Sequence, residues 1–367
     1  MKLGMRSMIH LSVAASLLSF AGLPPALTAQ TSDTATDKVE SQAHEVWREI
    51  MHNTTAPENG CFHASYPNTR WEKVECTAPP AYRSALPKLE DRGQQTTGNA
   101  FDYVAQAPSG HLISVASGSF PTVKDVTSEK SVGVAAFGDG GILGSNEYTL
   151  QVNTNIVHTA ACGSFTNCFA WQQYVISTNT PVSLTSSKLT GKTEVFIEYW
   201  LIDYGSSTRA ACPSGFINGG ADNEGPGVDC VQNTPAVVVY NGQLPITDLA
   251  SLQLSGSAAA KGTDKATATF GTEAFTATVA DSLTDISSAW TQAEFNVFGN
   301  AGGSEAKFNT GVSLTAKVAL TDGSTSAPTC VSPSNDDGTT GETNNLTLGS
   351  CTATGGSTPF IQFVESN

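Results

Sequence analysis

Two glutamates and a few amides are the residues of this 367-residue chain best suited to chemistry. In Thr291-Gln-Ala-Glu-Phe-Asn-Val-Phe298, alternation sends Ala293, Phe295 and Val297 to one side of a strand and Gln292, Glu294 and Asn296 to the other. One side is built to pack and the other lines something wet. In Val195-Phe-Ile-Glu-Tyr-Trp-Leu-Ile-Asp203 both sides are apolar or aromatic, as in a central strand covered on both faces. There Glu198 is flanked two residues away by Phe196 and Trp200, company that is expected to raise the pKa of a carboxyl. A third run, Ala170-Trp-Gln-Gln-Tyr-Val-Ile176, carries Trp171 and offers one glutamine, Gln172 or Gln173, to each face. A fourth, Tyr148-Thr-Leu-Gln-Val-Asn153, sends Gln151 and Asn153 to the side opposite Tyr148, Leu150 and Val152. Glutamate, amides and aromatics on neighbouring strands are the equipment of an acid hydrolase or of a sugar-binding groove. In either, Trp171, Trp200, Gln151, Gln292 and Asn296 are the expected substrate contacts.

Other chemistries lack their residues. Beyond Thr97 the only histidines are His111 and His158, and no G-x-S-x-G elbow accompanies them, so a Ser-His-Asp triad has little to draw on. H-E-x-x-H, Walker and strand-to-helix G-x-G-x-x-G patterns are also missing. Oxygen ligands of the kind calcium takes gather only at Asn335-Asp336-Asp337-Gly338, which reads better as a polar turn beside a disulfide. No metal and no cofactor is expected. The eight cysteines form four pairs of sequence neighbours, Cys61 with Cys76, Cys162 with Cys168, Cys212 with Cys230 and Cys330 with Cys351. No C-x-x-C spacing occurs, so local disulfides are predicted rather than a thiolate metal site or a cysteine nucleophile.

The elements that must position these side chains are strands. From about residue 100 the chain runs in short alternating stretches rich in Val, Thr, Ser, Ala and aromatics, spaced by Gly, Asn and Asp turns, among them 111–117, 131–137, 265–270, 275–279, 312–320 and 360–364. This predicts an all-β domain over 97–367, a two-sheet β-sandwich of the concanavalin-like jelly-roll kind. Short helical turns are expected near 247–252 or just before Trp290. Before this domain, Val39, Ala43, Val46, Trp47, Ile50 and Met51 share one face of a helix over about 38–52, followed by the Cys61–Cys76 unit and a Pro-rich connector. Residues 30–96 are therefore expected to form an N-terminal helical and disulfide module, packed on the sandwich through Trp47 and Trp71. It is either a propeptide that covers the cleft until acidification or an extension that decorates it.

Residues 1–29 read as a signal peptide, with Lys2 and Arg6 ahead of an apolar stretch from Met8 to Leu23 and a small-residue exit at Ala29. Export by a bacterial-type route to an oxidising, extracellular destination suits the cysteines. From Thr97 on, 23 acidic residues face 9 basic ones, a net charge of −14 that argues against nucleic acid or an anionic membrane as partner. A monomer is expected.

Three of these runs together resemble the glutamic peptidases of the eqolisin type. Ala170-Trp-Gln-Gln-Tyr-Val175 is similar to that family's glutamine strand, Phe196-Ile-Glu-Tyr-Trp-Leu-Ile-Asp203 to its E-W or Y-E-W strand, and Ala293-Glu-Phe-Asn-Val297 to its A-E-[WF]-x-V strand. Order and rough spacing agree over about 150 residues. The family's Gln-Thr-Gly is replaced by Gln172-Gln173-Tyr174, which leaves open which glutamine corresponds, and the usual Asp after the third strand is absent. More distantly the chain resembles neprosin-type peptidases, in which two glutamates work together, a part open to Glu294 and Glu198. The resemblance implies a secreted acid endopeptidase acting on polypeptides, with Glu294 as general base towards water and a glutamine amide donating to the tetrahedral intermediate. A carbohydrate-active enzyme using Glu198 and Glu294, a lectin, and a non-catalytic binding protein are the alternatives.

Overall fold

The computed structural model describes residues 29–81, 96–97, 102–137, 140–183, 188–221, 225–332 and 341–367. The predicted signal peptide up to residue 28, most of the connector and Asn335–Gly338 lie outside the described residues.

The long alternating runs form two large antiparallel sheets packed face to face, a β-sandwich as the alternation predicts. At the centre of the ten-stranded sheet lie, side by side, Thr193–Tyr204, Phe169–Ser177, Tyr148–Ile156 and Gln292–Gly299. These are the four runs singled out for their polar residues. The nine-stranded sheet has Glu273–Ala280, Thr263–Phe270, Leu252–Ser257, Val115–Lys124, Ser313–Thr321 and Phe360–Ser366 in that spatial order. The 3-10 turns Ile246–Ser251 and Ile286–Ser288 fall at both places where a helical turn was expected.

Between the sheets Leu150, Val152, Tyr174, Ile176, Ile197, Tyr199, Phe295 and Val297 meet Phe120, Leu254, Ala266, Leu314 and Val318 in one buried core. Two aromatic rings of the site strands are seated on glycines of the facing sheet. A Cβ at Gly118 would lie 2.0 Å from the Phe295 ring, and one at Gly256 would lie 2.0 Å from the Tyr174 ring. Phe295 also meets Phe120 with ring centres 5.1 Å apart, and Tyr174 stacks on Trp290 at 5.7 Å. Since neighbouring residues of a strand point to opposite faces, these anchors also set Glu294 and Gln173 on the far face. Gly118→Ala or Gly256→Ala is expected to cost about 1–3 kcal/mol by overpacking. A shift of the urea midpoint checks this, and an unchanged midpoint would mean that the rings are not held there.

All four disulfides join the sequence neighbours: Cys61–Cys76, Cys162–Cys168, Cys212–Cys230 and Cys330–Cys351.

The helix runs over Ala29–Asn53, longer at its start than the apolar periodicity indicates, because no Gly or Pro interrupts the polar residues 30–37. Of the face read from the sequence, Trp47 and Met51 are buried against Ala64 and Ala274, while Val46 and Ile50 are exposed. Trp47 Nε1 donates to Asn68 O at 2.7 Å and Trp71 Nε1 to Thr54 O at 3.1 Å. Lys265 Nζ closes the helix end, donating to His52 O and Thr54 O at 2.8 and 2.7 Å. Residues 44–367 form one compact unit. Within it Gly60–Ser65 pairs along Glu273–Ala280 and Glu72–Val74 pairs with Gly60–Ser65, so this part of the N-terminal segment supplies the edge of the nine-stranded sheet.

Candidate active site

Register brings the singled-out residues together. Glu198 lies opposite Gln173, Gln173 opposite Asn153, and Asn153 opposite Glu294, one polar residue from each central strand in a single row. Directly opposed residues of an antiparallel pair share a face, so all four side chains stand on the face of the ten-stranded sheet away from the core. Asn233 continues the row beyond Glu198. Two residues along each strand, the same face carries Trp200 and Trp171 on one side of the row, and Phe196, Val175, Gln151 and Asn296 on the other.

The row is joined by its amides. Asn153 Nδ2 donates to Glu294 Oε2 at 2.9 Å, and Gln173 Nε2 donates to Asn153 Oδ1 at 3.1 Å and to Gln151 Oε1 at 3.0 Å. Gln151 in turn donates to Glu342 Oε2 at 2.6 Å and to Thr149 Oγ1 at 3.0 Å. Trp200 Nε1 donates to Glu198 Oε1 at 2.9 Å. Glu294 is thus coupled to Gln173 through Asn153, whereas the sequence suggested a direct partner among Gln172, Gln173 and Glu198. Two strand spacings separate Glu294 from Gln173, about 10 Å between Cα atoms, and the strand between them bears the shorter amide that bridges the gap.

Gln172 is a correction to the list of site residues. Its side chain enters the core, donating to Tyr174 OH at 2.8 Å and Asp264 Oδ2 at 3.0 Å and accepting from Thr284 Oγ1 at 2.7 Å. Of the other expected contacts, Trp171 packs with Trp200, Ile156, Ile202 and Val231 and donates to Thr154 O at 3.1 Å. Gln292 Nε2, two residues from Glu294 at the strand end, donates to Gln106 Oε1 at 2.8 Å. Asn296 donates to Asp102 Oδ1 at 2.5 Å and to Glu365 Oε2 at 3.0 Å.

These last bonds expose residues that sequence reading passed over: Asp102, Glu342 and Glu365 gather with Glu294 around the amides. Each is a lone acidic residue far from the others in sequence, and nothing local marks it. Burial, then the neighbouring Asp102 and Glu342, hold the Glu294 carboxyl well above the ordinary range, against the opposing bond from Asn153. Burial likewise raises Asp102 to about 7, and burial with Asp102 nearby raises Glu365 to about 8. Glu294 Oε1 is buried with no hydrogen-bond partner among the described residues. A buried carboxyl with one oxygen held and the other unpartnered has the capacity to bond a water or a reacting group that reaches it.

The histidines are occupied otherwise. His111 and His158 use Nδ1 to bond the backbone carbonyls of Asp322 and Cys168, each at 3.0 Å. His52 meets Ser255 Oγ at 2.7 Å, but its other nitrogen faces Thr269 Oγ1 at 3.4 Å, and no carboxylate among the described residues orients it. Burial and nearby Lys265 lower its pKa to about 3, so it is a neutral packing residue at ordinary pH. No protein-family model and no curated protein matches this chain.

Proposed function

We propose that this chain is a secreted endopeptidase of the glutamic type. The reading is carried by the row in which Glu294, with one free oxygen, is tied through Asn153 to Gln173. Ionised Glu294 takes a proton from a water held at Oε1 while that water's oxygen attacks the peptide carbonyl carbon, and the proton then passes to the amine nitrogen as the C–N bond breaks. Gln173 Nε2 and Asn153 Nδ2 supply N–H donors for the oxyanion, exchanging bonds now made to Gln151 Oε1. Trp171, Trp200 and Phe196 flank the row as buried apolar walls, and the row itself is buried among the described residues. Export is supported by four disulfides and by the cationic, apolar and small-residue order of the first 29 residues.

Spacing weighs against a glycosidase or a two-glutamate peptidase built on Glu198 and Glu294. Two strands bearing Asn153 and Gln173 stand between them, and Glu198 Oε1 is taken by Trp200 Nε1 at 2.9 Å.

Casein digestion across pH 2 to 7, insensitive to pepstatin, chelators and serine or cysteine reagents, tests the proposal; no digestion at any pH would sink it. Gln173→Ala is expected to lower kcat/KM by about 100-fold, roughly 3 kcal/mol of transition-state stabilisation. Gln172→Ala should instead lower the unfolding midpoint and leave the rate of the folded enzyme within about threefold, because its amide serves the core. Equal rate losses in the two variants would remove Gln173 from its role.

A further inference from the structure

The tail of the N-terminal segment, Thr77–Ala81, leaves the nine-stranded sheet at Cys76 and crosses to the site face of the other sheet. Thr77 exchanges backbone bonds with Ala236, N to O at 2.9 Å and the reverse at 3.4 Å, and its Oγ1 donates to Glu194 Oε1 at 2.9 Å. Three residues on, Pro80 O accepts from Asn233 Nδ2 at 2.9 Å. Glu194 lies four residues before Glu198 on the same strand and face, and Asn233 lies opposite Glu198. The tail therefore climbs beside the Thr193–Tyr204 strand and brings Pro80 to the Glu198 end of the row.

Openings flank the tail on both sides. On one flank an opening of about 380 Å³ has Pro79, Pro80 and Ala81 as one wall and Ile217, Val231 and Asn233 as the other. On the other flank an opening of about 370 Å³ lies between Thr77–Pro80 and Val182, Leu189 and Glu194. Both openings share Pro79 and Pro80 as a wall, so lifting the tail joins them into one groove that ends at Asn233, beside the Glu198 end of the row. Pro79 and Pro80 have no N–H to satisfy and hold an extended backbone at little entropic cost, which suits a segment bound mainly through a carbonyl and a hydroxyl.

We infer that this groove is a binding site for an extended polypeptide and that Thr77–Ala81 occupies it in cis, as an intramolecular competitor of substrate. The inference rests on the reading of the row as a peptide-cleaving site. It also revises the idea of the N-terminal module as a cover for the cleft: residues 44–76 sit on the nine-stranded sheet, and among the described residues 44–81 the five-residue tail is the part that reaches the site face.

The test is a labelled synthetic peptide of residues 77–82, titrated by fluorescence anisotropy into the full chain and into a variant combining Thr77→Gly, Pro79→Gly and Pro80→Gly. Because a tethered occupant competes at high effective concentration, the variant is expected to bind the peptide at least about tenfold more tightly and to digest casein about tenfold faster. Equal affinity in the two chains, or binding to neither, overturns the inference. Peptide binding gained without hydrolysis in either chain upholds the groove and sinks the peptidase reading. Should the triple variant lose its unfolding transition, Pro80→Gly alone, which keeps the Thr77 bridge, gives the same comparison at smaller amplitude.

Discussion

Glu294→Gln is expected to lower turnover by roughly two to four powers of ten with the sandwich intact. The substituted amide keeps the shape, and its carbonyl oxygen still accepts from Asn153 Nδ2, which now reaches Glu294 Oε2 at 2.9 Å. Only the proton-transferring group is lost. Stability is expected to hold or rise, because a buried carboxyl held among Asp102 and Glu342 is replaced by a neutral group. Turnover on a peptide substrate, measured beside the urea midpoint, separates the two effects; a loss below tenfold would remove Glu294 from the chemistry. The same electrostatics predict the shape of the pH profile. With its pKa raised, Glu294 is protonated in strong acid, so the rising limb should lie above the ordinary carboxylate range. Asp102→Asn removes a like charge, lowers the pKa of Glu294 and moves that limb to lower pH. A limb that stays in place would separate Asp102 from the site.

Stability should be greatest near pH 4 and fall by several kcal/mol towards pH 8. Asp102 is raised to about 7 and Glu129 and Glu365 to about 8, chiefly by burial, and Glu147, Asp264 and Glu294 are raised in the same direction. Each has a folded pKa above its unfolded value, so the folded chain keeps protons that the unfolded chain releases. Their contribution is fully present below the unfolded value near 4, and for Asp102, Glu129 and Glu365 it is lost as pH rises through 7 to 8. His52 acts the other way: lowered to about 3, it contributes above about 6.5 and that contribution is lost as pH falls through 3. One histidine against six carboxyls leaves the slope downward between pH 4 and 8. Urea midpoints at pH 3, 4, 6 and 8 measure this, and a maximum between 7 and 8 would contradict it. A net charge of −15 at pH 7 adds self-repulsion that acid relieves.

Local pattern was enough for much of this molecule. Alternation in Gln292–Gly299 set Glu294 and Asn296 against Phe295 and Val297, and that division is the one found. Spacing alone paired the cysteines, since short loops close most readily and each bridge pins one. The strand runs were legible because β-branched and aromatic residues recur at period two between turn residues. Period two, however, says which residues share a face and not which face is the core. In Phe169–Ser177 both faces are apolar, so Gln172 and Gln173 were equivalent until Tyr174 found its seat on Gly256 and turned Gln172 inward. Register across strands far apart in sequence placed Asn153 between Glu294 and Gln173, and no local rule specifies that pairing. Asp102 and Glu365 reached Asn296, Glu342 reached Gln151, and Pro80 reached Asn233, only through packing of remote segments. A side chain's facing along one strand is decided within a few residues, whereas its neighbours across strands, and hence its charge environment, are decided by how two sheets close on one core.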